Sequence, residues 1–312
     1  MINRIELLHA SLLCDEGKLQ ELTRWLRAMD RPNGWHYDLD HIWTLHELAT
    51  AGIKPGATIV DAGAGQGIMQ YVLAARGYNV ISLDFSPRTP PARTRGIFRI
   101  VGEGDAVITY KHSYMTFINY GTTPAEGLGK RLTLRKLRKI PELPGRFFRT
   151  ARSYFSHLRE RFLRNHDQYG QITYVRAPFH DVPLESGSAD AVISISAIEH
   201  ADIQLFDSNI KSLLRLLKPG APMLLTTSAT PEQQSTYDRK VSGWCFSRSS
   251  LADYFPGSEI QFDAAACARS LLDSKTFMRR LDPYYYLDPQ SPFYKKQFTR
   301  LPYLPVAIKI IK

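Results

Sequence analysis

Apolar residues recur along this chain in two rhythms. Near the start the spacing is helical: Leu7, Leu8, Leu12 and Leu13, then Leu19, Leu22 and Leu26, repeat at threes and fours. Asp30-Arg31-Pro32-Asn33-Gly34 breaks that pattern. Ile42, Leu45, Leu48 and Ala49 then mark a second helix over about 39–51, with Gly52 placed to stop it. Residues 1–50 therefore read as helices. From Ala57 the rhythm changes. Ala57-Thr58-Ile59-Val60-Asp61 is a short β-branched run that ends in an acid and then glycines. A helical stretch from about 68 to 76 closes at Gly77, and Asn79–Asp84 is a second strand of the buried type. Strand, glycine loop, helix and strand form a βαβ unit, which implies a parallel sheet. The alternation resumes with strands at Ile172–Val175 and Asp190–Ile195. A helix over 206–217, striped by Ile210, Leu213, Leu214 and Leu217, stops at Lys218-Pro219-Gly220, and the strand Pro222–Thr227 follows. Ser258–Phe262 and Val306–Ile311 are two weaker strands. The fold class expected is α/β: a seven-stranded, mostly parallel sheet with helices on both faces.

One interval breaks the alternation. Residues 87–170 are far too long for an ordinary strand-to-helix connection, so they read as an insertion capping one end of the sheet. The interval opens with a β-like stretch at Ile97–Ile108 and continues into basic helices. Charge changes the picture most here. The whole chain carries 40 Lys/Arg against 30 Asp/Glu, a net +10. Between Glu126 and His166 there are twelve Lys/Arg and only three Glu, so nearly all of the excess lies in one segment.

The remaining composition sets bounds. A chain of 312 residues with 44% apolar and 22% charged residues is that of an ordinary folded protein. Cys14, Cys245 and Cys267 are an odd number and far apart, neither a disulfide framework nor a zinc spacing. A reducing compartment, and so the cytoplasm, is the location expected. The first residues show no signal-peptide pattern, and no apolar run reaches the length of a membrane span.

Asp61-Ala62-Gly63-Ala64-Gly65-Gln66-Gly67 follows a strand and opens a helix. Its glycines allow a tight turn and close approach of a ligand to the backbone, at the carboxyl end of the first strand of the βαβ unit. The third small residue of the dinucleotide fingerprint is missing, since Ile68 or Gln70 stands there, and no Gly-Lys-Ser/Thr follows. A ligand with an amino-acid end and a nucleoside but no phosphate suits such a loop. Asp61 would then lie near an ammonium group. Asp84, 21 residues after Gly63 at the tip of the next strand, can accept from both ribose hydroxyls.

Ile59-Val60-Asp61-Ala62-Gly63-Ala64-Gly65-Gln66-Gly67, with Lys54-Pro55-Gly56 before it, resembles the first motif of class I S-adenosylmethionine-dependent methyltransferases. Val182-Pro183-Leu184-Glu185-Ser186-Gly187-Ser188-Ala189-Asp190-Ala191-Val192 resembles the family's run into its fourth strand. Ala197-Ile198-Glu199-His200 is similar to the "Leu-Glu-His" that follows, and Leu214–Gly220 to the "Leu-Lys-Pro-Gly" before the fifth strand. The likeness covers about residues 50–86 and 172–230, with four motifs in the right order.

The resemblance implies a Rossmann-like fold, with a methyltransferase domain over 53–312, an N-terminal helical lid over 1–52 and the insertion at 87–170. It implies S-adenosylmethionine as cofactor. Asp61, Gly63, Ala64 and Gly65 would hold the methionine end, Asp84 the ribose, and Phe85 would lie against the adenine. Phe179, His180 and Asp181 are the candidates for the adenine loop, where Pro178 stands in place of the family's frequent Asp. Ser194, on the fourth strand, joins the cofactor-binding set.

Methyl transfer from a sulfonium asks the protein chiefly to orient an acceptor and exclude water. An acceptor hydroxyl or amine can need a base, and His200, with Glu199 beside it, is the catalytic candidate. His200 can equally be a first-turn residue bonded to backbone, and His180 with Asp181 is a rival base. No metal constellation stands out. Trp35, His36, Tyr37 and Trp43 are either a lid over the cofactor or packing of the N-terminal helix. Tyr284, Tyr285, Tyr286, Phe293 and Tyr303 line an acceptor pocket or fill a packed loop. In the insertion, Phe147, Ala151, Tyr154, Phe155, Leu158 and Phe162 form an apolar stripe among Arg149, Arg152, Arg159 and Arg164. That helix reads as a lid packed by its apolar face, as a contact over 130–165 with anionic lipid, as a clamp for an anionic acceptor, or as a nucleic-acid contact, against which only one segment is basic and no RNA-reading motif accompanies it.

The function expected is therefore methylation, chiefly at oxygen, of a small-molecule, sugar or lipid-linked acceptor, in the cytoplasm or at the inner face of a membrane. The competing readings are a nucleic-acid methyltransferase and a non-catalytic cofactor-binding scaffold at a membrane surface. Nucleic acid is disfavoured, since neither an Asn/Asp-Pro-Pro-Tyr/Phe nor a Pro-Cys motif follows the fourth strand.

Overall fold

The computed structural model describes residues 2–31, 33–88, 90–94, 96–102, 143–163, 166–239, 242–281 and 299–312. The chain opens with a strand, β1 (Arg4–Leu7), and a 3-10 turn at Ala10–Cys14. This corrects the all-helical reading of residues 1–50. Ile5 and Leu7 alternate into the core, while Leu8 is buried just after the strand and Leu13 from the 3-10 turn, so leucines at helical spacing arise here without an α-helix. Helix α1 (Glu16–Met29) follows. Asp15 caps it by accepting from Lys18 N at 2.9 Å, and Asp30 ends it at φ 53° while Arg31 N reaches back to Leu26 O. Helix α2 (Tyr37–Thr50) is buried on nearly all sides, including Asp38, Asp40, His41 and Glu47.

The alternating unit comes next: β2 (Thr58–Ala62), α3 (Met69–Ala75) and β3 (Asn79–Asp84), with β2 and β3 paired in parallel. Within the insertion are a two-residue strand β4 (Ile100–Val101) and helix α4 (Leu143–Leu163). The β-like reading of Ile97–Ile108 is met only at Ile100–Val101, and its last six residues lie outside the described residues, as do Lys130–Lys139 and Arg164. Then come β5 (Ile172–Arg176), β6 (Ala191–Ile195), α5 (Phe206–Leu216) and β7 (Pro222–Ala229). The chain closes with β8 (Thr236–Asp238), β9 (Gly243–Phe246), α6 (Arg248–Tyr254), β10 (Glu259–Gln261), α7 (Ala264–Leu272), α8 (Lys275–Arg280) and β11 (Leu304–Ile311). Ser247, Asp263 and Ser274 cap the three short helices by accepting backbone N–H groups.

The strands form one sheet in the order β10-β1-β11-β7-β6-β2-β3-β5-β4, with β9 joined to the end of β7 and β8 to β9. All seven strands read from the sequence are present, and β1, β4, β8 and β9 are added to them. From β7 to β4 every pairing is parallel, whereas β11 is antiparallel to both β7 and β1. Parallel strands covered on both faces need continuous apolar runs, and Ile59, Val60, Val192, Ile193, Leu224 and Leu225 are fully buried.

Helix α2 crosses the sheet from one edge to the other. At its far end Glu47 meets Lys309 Nζ at 2.7 Å and Arg4 Nη2 at 2.5 Å, and Lys309 lies opposite Leu224 in β7. At its start His36 meets Tyr303, which precedes Leu304, and Leu304 pairs with Ala229 at the carboxyl end of β7. The first turn of α2 therefore stands at the edge where open α/β sheets bind their ligands.

Candidate active site

Gly63 follows β2 at φ +76° and Gly65 at φ +47°, both in the left-handed region. Gly63 is glycine for a second reason. A Cβ there would lie 2.4 Å from Ala197 Cβ and 3.0 Å from the Phe179 ring, closer than atoms can approach. Leu83 O accepts from the backbone N–H of both Gly63 and Ala64, at 2.8 and 3.1 Å. Gly65 N donates to Asp84 Oδ2 and Ser86 N to Asp84 Oδ1, each at 2.9 Å. Asp84 thus orders two loops. A carboxylate has about four acceptor sites, so about two remain for ribose hydroxyls.

Sequence reading missed Arg88, which carries no motif. Its guanidinium bonds Ser82 Oγ at 2.7 Å, Ser82 O at 2.6 Å and Gly65 O at 3.2 Å, and lies 4.8 Å from the Tyr174 ring centre. It fastens the insertion's first residues to the glycine loop.

Asp61 is the acid of the loop, and it is buried. Burial pushes its carboxyl up to about 7, with Arg88 pulling the other way and Asp84 adding to the rise. No hydrogen-bond donor among the described residues reaches this carboxylate. Asp61 pairs across to Ile193, so by strand alternation the next residue of β6, Ser194, faces the opposite side of the sheet from Asp61. Ser194 Oγ is buried without a hydrogen-bond partner. The crevice lies between β2 and β6, beside the strand from which the chain steps to β3 in the other direction, a topological switch point. A buried acid and a loop with no room for a Cβ fit the aminoacyl end of S-adenosylmethionine. Asp84 at the next strand tip fits the nucleoside end.

The other cofactor candidates are spread around this crevice. Phe179 is partly buried and meets Gly63. Phe85 is 71% exposed beside Asp84, a surface that an adenine ring would cover. His180 and Asp181 are exposed on the loop after β5.

Beyond β6, Glu199 is buried and held by two hydroxyls: Ser196 Oγ donates at 2.7 Å and Thr227 Oγ1 at 3.1 Å. Burial raises its pKa, while His200 and the Ser196 bond oppose the rise. His200 is exposed, and its Nδ1 donates to Ser242 O at 2.9 Å, which leaves Nε2 as the acceptor.

Sequence reading placed His36 among the lid or packing residues and did not weigh it as an acid–base group. His36 is 2% exposed, its Nδ1 stands 2.6 Å from Asp40 Oδ2, and its Nε2 is 2.9 Å from Tyr303 Oη. The Asp40 contact is short but not aligned as a hydrogen bond, so it acts through charge. His36 also lies near enough to Glu199 to steady its negative charge. The i,i+4 spacing of His36 and Asp40 was the available signal. Trp35 packs with Tyr303 and Phe277, and Trp43 is buried while donating to Glu6 at 2.7 Å, so these two aromatics are core. Tyr284, Tyr285, Tyr286 and Phe293 lie outside the described residues.

A family described as "Methyltransferase domain" matches residues 35–262. No curated protein matches the chain in sequence. Among solved structures, the chain is similar to a phosphoethanolamine N-methyltransferase 2 of Haemonchus contortus, with 15% identity and a TM-score of 0.46 over 90% of this chain and 54% of that one. The chain thus spans about half of that enzyme. It is also similar to the [4+2]-cyclase SpnF, with 12% identity and a TM-score of 0.45 over 99% and 98% of the two chains. A third likeness is to the Burkholderia thailandensis 1,6-didemethyltoxoflavin-N1-methyltransferase, with 12% identity and a TM-score of 0.41 over 97% and 88%.

Proposed function

Because the chain belongs to the methyltransferase-domain family, we propose that it is an S-adenosylmethionine-dependent enzyme that methylates a hydroxyl group of a small-molecule, sugar or lipid-linked acceptor. The bound cofactor supplies an electrophilic methyl group on a sulfonium. The chain's own residues then have three tasks. Asp61 and the glycine loop hold the aminoacyl end, Asp84 holds the ribose, and a base near the carboxyl edge of β6 and β7 readies the acceptor.

The observation that carries the choice of oxygen is the buried His36, set between Asp40 and Tyr303. An alcohol is a poor nucleophile at neutral pH and gains most from a base in the transition state, whereas a neutral amine needs none to attack. His36 stands between the Asp40 carboxylate and Tyr303 Oη, so a proton leaving the acceptor can pass through Tyr303 Oη to His36 Nε2. Tyr303 is half-buried at the ligand-binding edge, so its hydroxyl is the part of this group that an acceptor can meet. His200, exposed and with Nε2 as acceptor, is the rival base.

The test is product analysis. The protein, the cofactor and a panel of hydroxyl- and amine-bearing small molecules, sugars and lipid-linked sugars are incubated, and the methylated atom is located by mass spectrometry and NMR. Methyl groups found on oxygen support the reading. Transfer to nitrogen alone, undiminished in His36→Gln, sinks it.

A further inference from the structure

Helix α4 is seated with its polar side inward. Among the residues of the helix whose burial is described, Ser153, His157 and Glu160, at helical spacings of four and three, are the buried ones. Ser153 Oγ donates to Arg27 O at 2.7 Å and is met by Arg93, while Arg24 Nε lies 3.6 Å from Glu160. Burial, with Arg93 and Arg161 nearby, lowers the pKa of His157, which favours its neutral form. The apolar stripe read from the sequence faces the other way. Phe155 is 69% exposed and Phe162 68%, with Ala151 and Leu158 on the same face. The expectation that this stripe packs on the domain is therefore corrected. The partner helix α1 offers a backbone carbonyl and arginines at this contact, so the polar residues of α4 bind there.

Arginines border the exposed stripe on both sides. Arg152 and Arg159 flank it on one side, and Arg161 on the other, next to Tyr154. The described acids of the helix offer no counter-charge, because Glu160 is buried. Lone surface apolar residues are unremarkable, but a row of aromatics along a helix with basic margins is a surface built for a partner.

We propose that this face of α4 docks on an anionic lipid bilayer. Aromatic and aliphatic groups enter the headgroup boundary, and the flanking guanidinium groups meet lipid phosphates and anionic headgroups. No helix among the described residues is long and apolar enough to cross a membrane, so the contact is peripheral. Nucleic acid explains the arginines but not the outward aliphatic residue Leu158 beside the two phenylalanines. The contact also has a geometric consequence. Ser153 lies by Arg27 and Glu160 by Arg24, so α4 runs antiparallel to α1. Its first ten residues reach about 15 Å beyond Ser153. That end points toward Asp30 and Arg31, and Arg31 meets Gln66 of the glycine loop at 2.5 Å. The helix that carries the bilayer contact therefore runs toward the glycine loop.

Vesicle flotation of the full chain tests this, with phosphatidylcholine vesicles and with vesicles that also contain phosphatidylglycerol. The wild type should float with the anionic vesicles at low salt and detach as salt is raised. Arg152→Gln with Arg159→Gln should weaken partitioning about fivefold per arginine removed. Phe155→Ser with Phe162→Ser should abolish it, with S-adenosylhomocysteine binding kept as the measure of intact folding. Three results overturn the proposal: a wild type that stays in solution with both kinds of vesicle, variants that float as well as the wild type, or retention on RNA without any vesicle binding.

Discussion

Gly65 donates its backbone N–H to Asp84 Oδ2 across 2.9 Å, which makes the glycine loop and the acid at the tip of β3 a single unit. Removing the carboxylate takes away that bond, the bond to Ser86 N and the acceptors proposed for the ribose together. Hydrogen bonds to a charged group are worth about 1.5–3 kcal/mol each. In Asp84→Ala, affinity for S-adenosylhomocysteine should fall by about tenfold to a hundredfold in calorimetry. Asp84→Asn, which keeps one oxygen, should lose less. Unchanged affinity in both would place the ribose elsewhere.

Asp61 ties binding to pH. Without ligand its carboxyl sits at about 7, above the ordinary value of 3.8, so it is largely protonated at pH 6. A cofactor ammonium favours the ionised form, and binding at pH 6 should release close to one proton. At pH 8 the release should vanish. Calorimetry in two buffers of different ionisation enthalpy reads this number directly, and Asp61→Asn should abolish it.

The same shift has a sign for stability. A raised folded-state pKa gives stability that is full below about pH 4 and is lost as pH rises through about 7. Each unit is worth about 1.4 kcal/mol. Denaturant unfolding of the ligand-free protein should therefore show a declining contribution between pH 4 and 7 that Asp61→Asn lacks. A wild type and an Asp61→Asn variant with parallel pH curves would refute the shift.

Much of this site was legible in the sequence, and the reasons are local. The acid, glycines and strand–helix boundary at 61–67 are contiguous, and Asp84 follows at fixed spacing, so β2, β3 and the loop could be read without tertiary knowledge. The meeting of His36 with Tyr303 could not. The two are far apart in the chain and meet only because β11 returns antiparallel and sets Tyr303 over the start of α2. β1 was hidden because Leu7 and Leu8 count as helical spacing when their strand partners, Val306 in β11 and its neighbours, are unknown. The seating of α4 was illegible for another reason. Amphipathic spacing marks two faces but does not say which one finds a partner, and here Arg27 O and Arg24 favour the polar face.

Tight packing beneath the loop gives a stability test. Gly63→Ala adds a Cβ at φ +76° and a clash with Ala197. The conformational strain alone costs about 1–3 kcal/mol. Thermal unfolding should show a large loss, and Ala197→Gly in the same chain should restore part of it by relieving the contact but not the dihedral strain. Equal melting of wild type and Gly63→Ala would mean that the loop does not hold this conformation.

The His36 group makes a kinetic claim. His36→Gln should lower kcat by about a hundredfold to ten-thousandfold if it is the general base, with cofactor affinity unchanged. Tyr303→Phe should lower kcat through the same relay. A kcat unaltered by either variant, and lowered by His200→Gln, would move the base to His200.

The central claim is that the crevice between β2 and β6 binds S-adenosylmethionine. Titration calorimetry of the full chain with S-adenosylmethionine, S-adenosylhomocysteine and NAD tests it most directly. Saturable binding of both sulfur nucleosides, weakened in Asp84→Ala, with no heat from NAD, is the expected result. Binding of NAD, or no binding of either sulfur nucleoside by the folded protein, would contradict it.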